Sequence, residues 1–290
     1  MIHALIRRFS PPIRIHVWGG FGSQLFALVA AWRISSKYQW RKVKLVFHSS
    51  GVTERSREIP SERLGDFSIE EKRDFHKHES SQAARESGFI KQFFTRFLDY
   101  AIREFGIVAR ANSNFDFKKI PPWILDIRGH YTDLFLEDFE VARLVELLNI
   151  ETHGIPLSAI SLHYRLGDLL YLENKSFIKP ERILQTLEED FDSDMSVNVF
   201  SDSATNEVTK LLSSYSFNKN FHCFELSPIE TIRLCVNSKE FLGTNSKISL
   251  WIAIFRLRKN IGLTAIPREL QHHIRVQLGE GYYQPSLLIY

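Results

Sequence analysis

Cysteine and methionine are scarce, with two of each in 290 residues. Cys223 and Cys235 cannot build a disulfide framework, and their spacing fits no metal-ligand pattern, so a reducing, cytoplasmic setting is expected. Long hydrophobic runs are also missing: Leu25 to Trp32 falls far short of the roughly 20 residues that span a bilayer. The opening MIHALIRRFSPP puts its arginines after its apolar residues, the reverse of a secretory signal. Internal repeats and low-complexity tracts are lacking. These absences argue against a secreted scaffold, an integral membrane protein and a fibrous chain. Acid is missing from residues 1–53, where Arg7, Arg8, Arg14, Arg33, Lys37, Arg41, Lys42 and Lys44 precede Glu54. Such a segment predicts contact with lipid headgroups, phosphates or another anion, or else a basic surface balanced by later acidic stretches.

What is present describes a globular protein. Hydrophobic residues make up 44%, charged residues 24%, and the 23 Phe supply a sizeable core. The length suits one large domain or two smaller ones. Arg14–Val17, WGGFGSQ, a helical pattern over 24–40 and the run Val43–His48 read as strand, Gly-rich turn, helix, strand: a βαβ unit. Helical spacing of charges and Phe predicts helices over 69–86 and 88–105. A strand over 123–127 and a helix over 134–149 follow. THGIP (152–156) reads as the linker. Beyond it, strands are expected at 159–164, 196–200, 221–224, 240–243 and 261–265. Helices are expected at 179–190, 204–215, 228–237 and 246–259. Alternation at this spacing predicts two doubly wound α/β domains, 1–155 and 156–290, facing a cleft.

Four segments carry residues suited to chemistry where strands end. In HVWGGFGSQLF (16–26), Gly19, Gly20 and Gly22 open a helix, either as a tight strand–helix turn or as a place where backbone N–H groups meet an anion. The third glycine of a dinucleotide fingerprint is missing. Gln24, in the first helical turn, is expected to turn its amide toward the same ligand. In SLHYRLGDLL (161–170), His163 and Arg165 share one side of a strand. Arg165 suits a diphosphate, Gly167 leaves room for one, and Asp168 orients Arg165 or caps the next segment. In NVFSDSATN (198–206), Ser201, Asp202 and Ser203 either cap a helix or bind a ribose or base. In FLGTNSKISLWIAIF (241–255), Thr244, Asn245, Ser246 and Ser249 form a phosphate seat or a helix cap. Asp192-Ser193-Asp194 has the spacing of a metal-holding pair but precedes a strand, so a solvated loop is expected. His76, His78, His272 and His273 lack partners at metal spacing.

In this order, the motifs GGFGSQLF (19–26), GHYTDLFL (129–136), HYRLGD (163–168), FSDS (200–203) and TNSKISLWIA (244–253) resemble those of the bacterial α-1,2-fucosyltransferase family. Ser23 stands where that family has Asn, Leu166 where it has a second Arg, and Leu250 where it has a first Trp. The resemblance implies a GT-B, inverting glycosyltransferase. Its donor would be GDP-fucose, a GDP-linked deoxyhexose or another nucleotide sugar, and no metal or other cofactor would be required. It implies a nucleotide-sugar side in the C-terminal half, with Gly20, Gly22, Gln24, Arg165, Ser201, Asp202, Thr244, Asn245, Ser246 and Ser249 as binding residues. Arg165, Asp168, His163 and Asp133 would be catalytic, with Asp133 or His130 as base. Its acceptor would be a glycan hydroxyl, lipid-linked in O-antigen synthesis, reached by a cytoplasmic protein peripheral to the inner membrane face. The competing readings are a nucleotide-sugar- or carbohydrate-binding protein without catalysis, and a nucleic-acid binder, which the placement of the basic residues around an apolar helix disfavours.

Overall fold

A computed structural model describes residues 10–48, 57–60, 64–65, 67–72, 107–111, 116–150, 157–167, 177–192, 194–213, 220–279 and 284–290. The chain forms two compact units, Met1–Leu134 and Phe135–Tyr290.

The first unit contains β1 (Ile13–Val17), α1 (Phe21–Lys37), β2 (Val43–His48), β3 (Ser68–Lys72), β4 (Val108–Ala111) and β5 (Asp126–Gly129). Its sheet is parallel, in the order β3-β2-β1-β5-β4. On β1, Ile13, Ile15 and Val17 are buried, while Arg14 and His16 point to the other face. Thirteen residues of α1 are buried, from Phe21 to Ile34, so the helix is apolar nearly all round and forms the unit's core.

The basic excess of this unit is largely consumed inside it. Arg41, buried, donates to the carbonyls of Pro11, Pro122 and Ile124. Lys37 donates to those of Phe117, Lys118 and Ile120. Arg14 pairs with Asp126, Lys44 with Glu70, and Arg33 sits over the Phe117 ring. These five cations are committed to structure; Lys42 is exposed, and Arg7 and Arg8 lie outside the described residues.

The second unit contains α2 (Asp138–Leu148), β6 (Leu157–Tyr164), α3 (Pro180–Asp190), β7 (Val197–Ser201), α4 (Thr205–Ser213), β8 (Phe221–Phe224), α5 (Pro228–Val236), β9 (Ser238–Gly243), α6 (Lys247–Lys259), β10 (Thr264–Ile266), α7 (Gln271–Leu278) and β11 (Leu287–Ile289). Its parallel sheet runs β11-β10-β9-β6-β7-β8. The chain starts at the middle strand β6, winds outward through β7 and β8, then returns to β9 on the other side. The strand order therefore reverses at β6, the point where open α/β sheets bind ligands beyond their carboxyl ends. Leu162, Tyr164, Val197 and Val199 pack under α3 and α4 on one face. His163, Phe200 and Gly243 stand in register on the opposite face.

Several expectations change. Residues 69–72 are strand β3, not helix; their charges pair across the strand edge, Lys44 with Glu70 and Arg57 with Glu71. The rest of the two helices expected over 69–105, and the linker THGIP, lie outside the described residues. The unit boundary falls after Leu134, so α2 joins the second unit. It is tied there by Arg233 Nε to the Leu148 carbonyl at 2.6 Å, Arg258 to that of Leu136, and an Arg258–Asp138 ion pair. Strand β4, helix α7 and edge strand β11, of three or four residues or two short turns each, were not expected from the sequence pattern.

Candidate functional site

At the carboxyl edge of the second sheet, β6, β7 and β9 bring four sequence segments together. Thr244, directly after β9, is the hub. Its hydroxyl donates to the His163 carbonyl and accepts from the Arg165 N–H, both at 2.9 Å. Its own N–H reaches Ser249 Oγ at 3.1 Å. His163 Nδ1 meets Ser249 Oγ at 2.7 Å. Burial, then the nearby charge of Arg165, pushes His163 down to about 3, so the ring stays neutral at working pH. It positions Ser249; a proton-transfer role is not what this geometry gives it.

Arg165 is oriented by Asp202. One Asp202 oxygen accepts from the Leu166 N–H at 2.9 Å, and the other lies 3.5 Å from Arg165 Nε. Asp202 therefore locks the turn after β6 instead of capping α4; Asp168, the other residue expected to orient Arg165, lies outside the described residues. Gly167 is required for a different reason than room for a ligand. Its φ is +20°, and a Cβ there would stand 2.4 Å from Asp202 Oδ2. Leu166, at the family's second arginine position, is buried in the core with Tyr164. Its side chain takes no part in the ligand edge.

Helix capping accounts for the start of α6. Ser246 Oγ accepts from the N–H groups of Ile248 and Ser249 at 3.1 Å. Ser249 is fully buried against His163 and Thr244. Asn245 is exposed. The face offered at the sheet edge is thus Arg165, Ser201, Asp202 and Asn245, with Thr244, Ser246, Ser249 and His163 as its scaffold. An arginine fork beside hydroxyl and amide groups can hold a diphosphate and its attached sugars. Asp192 and Asp194 lie before β7, at the opposite edge, where Asp192 Oδ1 accepts from the Asp194 N–H.

In the first unit, the glycine turn is explained by backbone geometry: Gly19 has φ +86° and Gly20 caps α1. Gly22 is buried within the helix. Gln24 is 3% exposed, and its side-chain oxygen accepts from the Glu58 N–H at 3.0 Å. It fastens a loop, contrary to the expected ligand-facing amide. Asp133 lies half-buried in the turn after β5, and His130 beside it is exposed. Tyr131, buried with φ +54°, anchors that turn by donating to the carbonyls of His16 and Ile127.

A buried polar chain that the sequence motifs do not reveal crosses this sheet. Arg14 Nη2 donates to Asp126 Oδ2 at 2.7 Å; Asp126 Oδ1 meets His16 Nε2 at 2.8 Å; His16 Nδ1 meets His48 Nε2 at 2.8 Å. Burial would raise the Asp126 carboxyl, but hydrogen bonds from His16 and Arg14 outweigh it and hold the group near about 2. The available signal was parity: RIHV and VKLVFH each place polar residues on one face of an otherwise apolar strand.

No protein-family model and no curated protein sequence matches the chain. Among solved structures, E. coli heptosyltransferase WaaC with ADP aligns over 96% of this chain and 90% of its own, at 10% identity and TM-score 0.43. E. coli ADP-heptose heptosyltransferase II aligns over 96% and 90%, at 10% identity and TM-score 0.44. Fucosyltransferase NodZ from Bradyrhizobium aligns over 92% of each chain, at 13% identity and TM-score 0.35. These neighbours are glycosyltransferases.

Proposed function

We propose that the chain is an inverting glycosyltransferase that moves fucose, or a related deoxyhexose, from a GDP-sugar to a glycan hydroxyl. The observation that carries this reading is the placement of Arg165. It sits oriented by Asp202 and fixed through its N–H by Thr244, at the reversal point of the second sheet. The guanidinium would take two oxygens of the donor's diphosphate and offset the charge that grows on it as the sugar leaves. Asn245, Ser201 and Asp202 are the groups placed to meet the sugar or ribose hydroxyls. The α-1,2 linkage and the GDP-fucose donor rest on the motif resemblance, and the first unit is assigned the acceptor on the same ground.

Donor binding should raise the melting temperature, because a ligand that binds only the folded state stabilises it by mass action, by about 2.7 kcal/mol at 100 times Kd. Screening GDP-, UDP-, dTDP- and ADP-sugars by thermal shift therefore identifies the donor. No response to any of them overturns the reading.

Transfer is proposed to need no divalent metal. The overlapping D-x-D pairs Asp190/Asp192 and Asp192/Asp194 lie before β7, away from the Arg165 edge, and Asp192 accepts from the Asp194 N–H in its own turn. Turnover should therefore persist in EDTA, and Asp192→Ala with Asp194→Ala should leave the donor KM within about twofold, a free-energy change under about 0.5 kcal/mol. Turnover abolished by EDTA and restored by Mg²⁺ or Mn²⁺ would sink this expectation.

A further inference from the structure

Among the described residues, the large hydrophobic side chains exposed to solvent are Trp123, Phe135, Phe139 and Phe224. A single apolar residue in water is ordinary and carries no meaning by itself. Phe224 differs from the other three in place and in orientation. It ends a strand, β8, at the carboxyl edge of the second sheet, the edge that carries Arg165, Ser201, Asp202 and Asn245. Register sets it opposite Phe200 on β7. The two rings stack, with centroids 5.4 Å apart and planes within 20° of each other. Phe200 is 1% exposed and Phe224 40%. The buried ring thus holds the outer one from behind and leaves the remaining surface of Phe224 in solvent.

The chemistry around this ring is selective. The turn after β8 runs through Glu225, which is exposed, into α5. At the start of that helix the Ser227 hydroxyl accepts from the Glu230 N–H, and the Glu230 carboxylate accepts from the Ser227 N–H and hydroxyl. This capping box fills the helix end with a carboxylate, so it offers no seat to a second anion. The charges of Glu225 and Glu230 repel phosphate from the same corner. What the corner presents to a ligand is a flat, neutral aromatic surface. β8 lies two strands from β6, about 10 Å along the edge at the spacing of paired strands. A nucleotide anchored at Arg165 by its diphosphate carries its base over that distance, with its ribose passing Ser201 and Asp202 at the end of β7.

We propose that Phe224, backed by Phe200, is the platform on which the nucleobase of the donor stacks. The inference rests on the glycosyltransferase reading and deepens it, by giving the base a place and a partner within the second unit. Every base has a π-face, and stacking on an aromatic ring holds it without charge. Offset stacking on a ring already supported from behind continues the arrangement that Phe200 and Phe224 have between themselves. The two ends of the donor are thereby divided: Arg165 meets the charged diphosphate, and Phe224 meets the neutral base.

The test is the affinity of the full chain for GDP and for pyrophosphate, which has no base. Removing a ring on which a base stacks weakens binding about 5- to 150-fold. Phe224→Ala should therefore weaken GDP at least about tenfold and leave pyrophosphate within about twofold. Phe224→Leu keeps an apolar cover on Phe200 without a π-face and should show the same selective loss. Phe224→Trp should retain GDP binding, and GDP should quench its fluorescence beyond any change seen in the wild type. If the wild type binds GDP and the Ala and Leu variants bind it as tightly, the base assignment fails and the transferase reading stands. A Trp variant that binds GDP without added quenching overturns the assignment as well. Equal losses for GDP and pyrophosphate that track a lower melting temperature make Phe224 structural and overturn the proposal. If the wild type binds no GDP, the GDP-sugar reading fails and the platform falls with it.

Discussion

Arg165→Ala should lower kcat/KM for nucleotide-sugar turnover at least about 100-fold while the protein stays folded. A charged hydrogen bond contributes roughly 1.5–3 kcal/mol, and each 1.4 kcal/mol is a tenfold rate change. Charge that builds on the departing diphosphate in the transition state adds to this. The structural cost should be small. Asp202 keeps its bond to the Leu166 N–H when the arginine is cut back, and the Arg165–Asp202 pair is loose, at 3.5 Å, with side chains 21% and 38% exposed. A half-exposed pair at this distance is worth about 1 kcal/mol, so the melting temperature should move by no more than about 2–4 °C. Arg165→Lys keeps the charge and loses the planar fork, and should recover only part of the activity. Turnover and melting curves of both variants decide the matter. A stable, fully active Arg165→Ala removes the diphosphate assignment; an unfolded one makes Arg165 a structural partner of Asp202.

The largest loss of stability is expected at Arg256. This side chain is 0% exposed in the last turn of α6. Its guanidinium donates to the carbonyls of Cys235, Val236, Ser238, Lys239, Ile261 and Leu263 and to the Thr264 hydroxyl. Burial lowers its pKa to about 10, which still leaves it charged at neutral pH. The arginine therefore joins the end of α5, the start of β9 and the turn into β10. Gly262 shows how closely these backbones approach, since a Cβ there would lie 2.0 Å from the Lys239 carbonyl oxygen. Arg256→Met keeps much of the volume but strands several buried acceptors, each costing about 1–3 kcal/mol. The second unit should melt at least about 10 °C lower, given roughly 2–4 °C per kcal/mol at this size. Nucleotide-sugar binding should be lost with it, because β9 carries Thr244 at its end. Calorimetry on the variant provides the measurement. An unchanged melt would mean that water replaces the guanidinium and that Arg256 is not the clamp between these backbones.

The α/β architecture was legible in the sequence because its parallel strands are short apolar runs bounded by glycine, serine and asparagine, spaced by helix-length amphipathic segments. β2 and β8 fall where the pattern put them, and α3, α5 and α6 lie within a residue of it. Arg165, Asp202 and Thr244 stand out in the sequence for the same reason: each directly follows a strand end, and that edge is where this topology gathers polar residues. The glycine turn admits two readings in the sequence. Glycine is demanded equally by an anion and by a positive φ, and Gly19 answers to the latter.

What the tertiary structure alone decided is which partners each polar group has, and therefore what it can do. Nothing in the chain order pairs Arg165 with Asp202, 37 positions on. Strand register does that, by setting the end of β7 beside the end of β6. The basic bias of residues 1–53 could be counted from the sequence, but its consumption by carbonyls near residues 117–124 depends on where that loop packs. The linkage of Arg14, His16, His48 and Asp126 likewise depends on β1 lying between β2 and β5. Hydrogen bonds act over about 3 Å, and residues 110 positions apart come within that range only when a sheet is assembled. Sequence pattern therefore determined the elements and the strand ends where polar residues gather, and the sheet order determined which of those polar residues bond to one another.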